Sequence, residues 1–169
     1  MLRELHKELG IPADYALAGG LPGFNEAPEL VDAGPNLIGR KVELDPATHR
    51  AWLAMAAAAR EAGIVLLLVS GFRSWDYQAR LIRKKLNDGQ SIEEILKVNA
   101  APGYSEHHTG RAIDLATPGS RPLTEEFEET DAFQWLTAEA GRFRFRMSYP
   151  RDNPHGIIYE PWHWAYQPG

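Results

Sequence analysis

His107 and Asp114 stand seven residues apart in Ser105-Glu106-His107-His108-Thr109-Gly110-Arg111-Ala112-Ile113-Asp114. On a straight strand an odd separation sends two side chains to opposite faces. This imidazole and this carboxylate can therefore act together only if the chain bends between them. Thr109-Gly110 is where it can bend, because glycine adopts backbone angles closed to other residues. Ala112 is small and leaves room beside Asp114 for a metal or a substrate.

A second segment, Glu160-Pro161-Trp162-His163-Trp164, adds another carboxylate and another imidazole about fifty residues later. The spacing of Glu160 and His163 would suit one helix face. Pro161 biases Glu160 towards an extended conformation, so a tight turn at Pro161-Trp162 is expected instead. Two His and one Asp make a catalytic zinc set with the fourth position left for water. Zinc lowers the pKa of that water to ~7, and a carboxylate outside the ligand set can then shuttle the proton. This reading assigns His107, Asp114 and His163 as ligands of one Zn2+ per chain and Glu160 as general base and acid. Arg73 follows an apolar run and offers a cation for a developing oxyanion; the alternative is a surface arginine in a turn. A lone His–Asp pair is also compatible with a structural hydrogen bond. A Ser105-His107-Asp114 triad is conceivable but lacks a nucleophile elbow. Ser105 reads more simply as a turn residue bracing the loop. His108 is expected to be second to the ligands or exposed, His155 to sit in a turn or at a cleft rim, and His6 and His49 to be solvated.

The bulk numbers exclude several classes. The net charge of −5 leaves no basic footprint for nucleic acid, and the cluster Arg80-Leu81-Ile82-Arg83-Lys84-Lys85 reads as the solvated face of a helix. The chain has no cysteine, which removes disulfides, thiol nucleophiles and Cys-bearing zinc sites. No apolar run approaches the ~20 residues of a membrane span, and residues 1–8 lack the apolar core of an export signal. A cytoplasmic location is therefore expected, or a periplasmic one if a leader has been removed. The oligomeric state is left open.

The 169 residues suit one domain. Residues 1–45, rich in Gly and Pro, are expected to form a lobe of loops and short strands packed on a catalytic domain at 46–169. Asp45-Pro46 opens a helix that Gly63 stops. Ile64 to Val69 suits a buried strand. Ser74 caps a helix to about Leu86, Ser91 opens a short one with a capping box, and Thr130 caps Asp131 to Ala140. Strands are expected at Arg111–Leu115, at Arg142–Met147 from its charged–apolar alternation, at Gly156–Tyr159 and at His163–Tyr166. Helices early and strands late predict an α+β fold, a central and largely antiparallel sheet with helices packed on it.

At these residues the sequence resembles a known family. Ser105-x-His107-x-x-Gly110-x-Ala112-x-Asp114, followed by Glu160-x-x-His163-Trp164, is similar to the VanY-type D-alanyl-D-alanine carboxypeptidases of the lysostaphin/DD-peptidase/sonic-hedgehog (LAS) metallopeptidase group. Ser70-Gly71-Phe72-Arg73-Ser74 with Gln78, and Ser148-Tyr149-Pro150, also match, and the resemblance spans roughly residues 40–167. It implies zinc on His107, Asp114 and His163, Glu160 as the base and Arg73 at the scissile carbonyl. It further implies that Gln78, Ser105 and Ser148 line the substrate site. The implied substrates are peptidoglycan stem peptides, their precursors or muropeptides ending in D-amino acids. Such enzymes are often exported or anchored. The absence of a visible signal here raises cytosolic L,D-carboxypeptidase action on tetrapeptide muropeptides as the alternative. A non-catalytic peptidoglycan-binding module comes after it.

Overall fold

The computed structural model describes residues 1–169. Its centre is a four-stranded antiparallel sheet formed by β3 (Leu67–Ser70), β4 (Ala112–Ala116), β5 (Phe145–Met147) and β6 (His163–Tyr166), in the spatial order β3-β4-β6-β5. A separate hairpin, β1 (Val31–Pro35) with β2 (Lys41–Leu44), leads into α3 (Pro46–Glu61). This is the α+β architecture that the order of elements predicts.

Local signals set most helix ends. The Asp45 carboxylate accepts from the Thr48 amide at 3.1 Å and caps α3. Ser74 caps α4 (Trp75–Asn87), Ser91 and Glu94 form the capping box of α5 (Ile92–Val98), and Thr130 caps α6 (Asp131–Glu139). The main core lies between the sheet and α3 and α6, with Met55, Ile113, Leu115 and Leu136 fully enclosed. Each such side chain contributes on the order of 1.5–3 kcal/mol through burial. A smaller core under α4 and α5 holds Ala79, Ile82, Ile95 and Ala101 against Leu9 and Ile11.

Three strand expectations are corrected. The run Ile64–Val69 yields a strand only from Leu67. Its first residues complete the exit of α3, with Gly63 left-handed at φ 80° and the Ile64 amide returning to the Ala59 carbonyl at 2.8 Å. Only the end of Arg142–Met147 is strand: residues Ala140–Phe143 continue α6 as a 3-10 turn, Arg144 is left-handed at φ 65°, and Phe143 stacks on Trp135. Gly156–Tyr159 is no strand and pairs with no edge of the sheet. Its backbone bonds elsewhere, the Ile158 amide to the Lys97 carbonyl and the Ile157 carbonyl to the Asn153 amide group.

The first 45 residues contain the expected hairpin but also two helices, α1 (Leu2–Glu8) and α2 (Tyr15–Gly19). Val42 and Leu44 belong to the main core, so β2 is continuous with the body of the fold. No helix of the chain is long and apolar enough to cross a membrane.

Candidate active site

Strand register brings the chemistry together. Ser70 pairs with Asp114 across β3 and β4, and Asp114 pairs with His163 across β4 and β6. His107 joins them from a 3-10 turn, Glu106–Thr109, which Gly110 ends in the left-handed region at φ 70°. The bend demanded by the His107–Asp114 spacing is thus present. A Cβ at Gly110 would lie 2.8 Å from the Asp45 amide nitrogen, and that amide donates to the Gly110 carbonyl. Only glycine satisfies both the backbone angle and the close approach.

Gly71 has a comparable role on the other side. A Cβ there would meet the Glu43 carbonyl at 2.8 Å, so the loop after β3 can lie against β2. That loop is then tied to the His107 turn. The Arg73 amide donates to the His107 carbonyl at 3.1 Å, and His108 Nδ1 donates to the Arg73 carbonyl at 2.7 Å. His108 is fully buried; of the two places expected for it, it takes the one behind the ligands and is not exposed. Its Nε2 accepts from the Gly103 amide, and its ring stands edge-on to Trp75. His6 is likewise half-buried rather than solvated and bonds the Pro102 carbonyl. His155 lies in a turn, edge-on to Tyr149.

His107, Asp114 and His163 present ligand atoms that all lie within 4.8 Å of one another. They are 4%, 2% and 2% exposed. The ring tautomers follow from their partners. A carbonyl only accepts, so His107 Nδ1, 2.7 Å from the Gly71 carbonyl, carries the proton and Nε2 keeps its lone pair. His163 Nε2 donates to Glu106 Oε1 at 3.0 Å, which leaves Nδ1 turned inward. Asp114 Oδ1 sits 3.3 Å from His107 Nε2 and 3.2 Å from His163 Nδ1, buried and without a hydrogen bond of its own. Asp114 Oδ2 accepts from Arg73 Nη2 at 2.9 Å. An orphaned carboxylate oxygen between two inward imidazole nitrogens fits a metal ion with N and O preferences.

The charges agree with that fit. Burial disfavours a charged His163, yet the Asp114 and Glu106 carboxylates beside it raise its pKa to about 10. Burial and the charge of Arg73 lower His107 to about 4. Burial works against ionised Asp114 and Glu106. The imidazoles override it, holding Asp114 well below its ordinary range and Glu106 at about 2. Two carboxylates on one imidazole draw positive charge to the centre, whether proton or metal.

Glu160 leaves β6 through the expected turn, with the His163 amide donating to its carbonyl at 3.2 Å. Its Oε2 lies 3.6 Å from His163 Nδ1. Burial raises its pKa to about 7, the range in which a carboxyl both takes and gives a proton at neutral pH. His107, Asp114, Glu160 and His163 open on a cavity of about 190 Å³, walled by Val98, Ile157, Ile158 and Trp162. Arg73, Gln78 and Ser105 line it as well. The Ser105 hydroxyl accepts from the His107 amide and braces the turn. Arg73 Nε donates to the Ser70 hydroxyl at 3.0 Å, so its guanidinium is fixed at two points.

Ser148 is not in this cavity, contrary to the expectation from resemblance. Its hydroxyl lies behind Glu106, in an adjoining hollow with Arg111 and Arg146. Two neighbours of the site have no role assigned from the sequence, Glu106 beneath His163 and Tyr149, whose ring centroid is 4.8 Å from that of His163. Glu106 adjoins His107 in sequence, which was the only available signal for it.

The chain is similar to known proteins in sequence and in fold. A D-alanyl-D-alanine carboxypeptidase of Enterococcus faecalis (strain ATCC 700802 / V583) is 30% identical over 119 residues, 64% of this chain and 42% of that protein. The chain thus spans less than half the length of that curated relative. Among solved structures, the LdcB LD-carboxypeptidase superposes with a TM-score of 0.75 at 29% identity, covering 86% of this chain and 71% of LdcB. A mutant of the vancomycin resistance D,D-pentapeptidase VanY in complex with Zn(II) superposes with a TM-score of 0.64 at 25% identity, covering 86% of this chain and 82% of its own. Residues 41–169 match the family described as VanY: D-alanyl-D-alanine carboxypeptidase, and it is to this family that the chain belongs.

Proposed function

We propose that the protein is a zinc-dependent carboxypeptidase that removes a C-terminal D-alanine from peptidoglycan stem peptides or their precursors. The observation that carries this reading is the convergence of two buried imidazole nitrogens on the unpartnered Asp114 Oδ1, beside a carboxyl poised near neutral pH. In this reading His107 Nε2, Asp114 Oδ1 and His163 Nδ1 hold the metal. Zinc bound there supplies Lewis acidity, which makes water nucleophilic near neutral pH and polarises a carbonyl. Glu160 accepts the proton that the attacking water loses and returns it to the departing amine nitrogen. Arg73, anchored through Nε and Nη2, offers its remaining nitrogen to the carbonyl oxygen as negative charge gathers there. Gln78 and Ser105 border the bound peptide.

The likeness to LdcB favours a second reading, an L,D-carboxypeptidase acting on tetrapeptide stems. Incubating the zinc-loaded protein with pentapeptide and tetrapeptide muropeptides and measuring released D-alanine separates the two. Release from the pentapeptide supports the first reading, release from the tetrapeptide alone supports the second, and release from neither refutes both.

Glu106 has a definite place in this scheme. By accepting from His163 Nε2 it fixes the ring orientation and raises the basicity of Nδ1. Glu106→Ala is expected to weaken zinc binding ~10–100-fold, the range for loss of a carboxylate behind a ligating histidine. Glu106→Gln, which can still accept from Nε2, is expected to recover part of the loss. Competition against a chelator measures both, and an alanine variant that binds zinc as the parent does would remove Glu106 from the site.

A further inference from the structure

Lys85 is the cation on α4 that the solvated-face reading does not explain. Its neighbours on that helix all have carboxylate partners. Arg80 meets Asp76 at 3.5 Å, Arg83 meets Glu8 at 2.8 Å, and Lys84 meets Asp88 at 3.0 Å. Lys85 instead turns into the cavity that holds the metal-ligand set. Its ammonium donates to Asn99 Oδ1 at 2.5 Å, a neutral amide from the segment after α5. No ion pair neutralises it. Burial, then the charge of Arg73, lowers its pKa, so an anion arriving in the cavity would relieve a cation that the protein itself leaves uncompensated.

Gln78 lies seven residues earlier on α4. That spacing is about two helical turns, or ~10 Å, on one face. Gln78 lines the same cavity. Its Nε2 donates to the Ala100 carbonyl, while Oε1 is buried and has no partner. This wall therefore offers one unsatisfied acceptor and one unpaired cation. Val98, Ile157 and Ile158 close the cavity with apolar surface. An acceptor for an amide N–H, an apolar wall for a methyl group and a cation for a carboxylate together describe one C-terminal alanine residue. Arg73 is not free for that carboxylate, since Ser70 and Asp114 engage two of its nitrogens and the proposed function assigns the third to the scissile carbonyl.

We propose that Lys85, held by Asn99, binds the C-terminal carboxylate of the peptide substrate and thereby confines the site to the last residue of a chain. The proposal rests on the carboxypeptidase reading for the identity of the peptide. Its charge recognition can be tested without turnover. A charge-assisted hydrogen bond to a carboxylate is about twice as strong as a neutral one, so replacing the carboxylate by an amide should weaken binding markedly.

The test measures calorimetric affinity on zinc-loaded protein in the Glu160→Gln background, with and without Lys85→Met. The probes are a stem pentapeptide, its C-terminal amide, and the same peptide amidated instead at its glutamate carboxyl. The parent is expected to bind the free acid at least tenfold more tightly than the C-terminal amide, and to be indifferent to the glutamate amide. Lys85→Met should erase that preference with zinc content and melting temperature unchanged. Lys85→Arg, which keeps the charge, should retain most of it. Equal binding of acid and terminal amide by the parent would overturn the proposal. So would a preference that survives Lys85→Met or that follows the glutamate carboxyl. If the preference appears as expected but the unmutated enzyme releases no D-alanine, the carboxypeptidase reading fails while the carboxylate site stands.

Discussion

Glu160→Gln is expected to abolish release of D-alanine while leaving zinc content unchanged. Glutamine has the same shape and can occupy the same buried position beside His163, but it cannot accept the proton of an attacking water. Losing a positioned general base lowers turnover by ~10²–10⁴, and here the same group would also return the proton to the leaving nitrogen. The variant should be no less stable. Burial raises the Glu160 pKa from the ordinary 4.5 to about 7. The folded protein thus binds this proton more tightly than the unfolded chain, and it loses stability as pH rises from the unfolded pKa to the folded one. The deficit persists above pH 7. At ~1.4 kcal/mol per pKa unit, metal-free Glu160→Gln should melt at or above the metal-free parent at pH 8, and the two should converge near pH 4. Retained turnover would remove Glu160 from the chemistry, and a variant stripped of zinc would show it acting as a ligand.

Much of this site was legible because its geometry is enforced locally. The odd His107–Asp114 spacing required a bend, and Gly110 provides it with a backbone angle and a close contact that no other residue allows. Pro161 pointed to the turn that holds Glu160 near His163. The caps at Asp45, Ser74, Ser91 and Thr130 place helix starts through side-chain hydrogen bonds within four residues. What the sequence hid depends on partners distant in the chain. Gly156–Tyr159 has strand composition, but its backbone is bonded by Lys97, far off in the chain, and by the Asn153 side chain. His108 looks like its neighbour His107, and only the packing of the Arg73 loop makes one structural and the other inward-facing. Lys85 is one of several cations on α4 in sequence; α5 and the segment after it turn its surroundings from solvent into cavity wall.

Arg73→Ala should reduce both turnover and stability, and the two effects have separate causes. The guanidinium fixes Asp114 through Oδ2, which leaves Oδ1 as the oxygen turned to the imidazoles. The pair is mostly enclosed, at 16% and 3% side-chain exposure. Removing one partner of a buried pair costs about 3–5 kcal/mol. For a chain of this size, with ~2–4 °C per kcal/mol, the metal-free variant should melt on the order of 10 °C lower. Zinc should restore part of this, because it takes over the charge of Asp114. The catalytic loss should remain at saturating zinc. A donor to the developing oxyanion is worth ~10²–10³ in kcat. Arg73→Lys tells the causes apart, since an ammonium can pair with Asp114 but cannot also hold Ser70 and present a third nitrogen to the substrate. It should regain much of the melting temperature and little of the kcat. If zinc-saturated Arg73→Ala turns over at the parent rate, the arginine serves only to hold Asp114, and stabilisation of the carbonyl oxygen must come from elsewhere in the site.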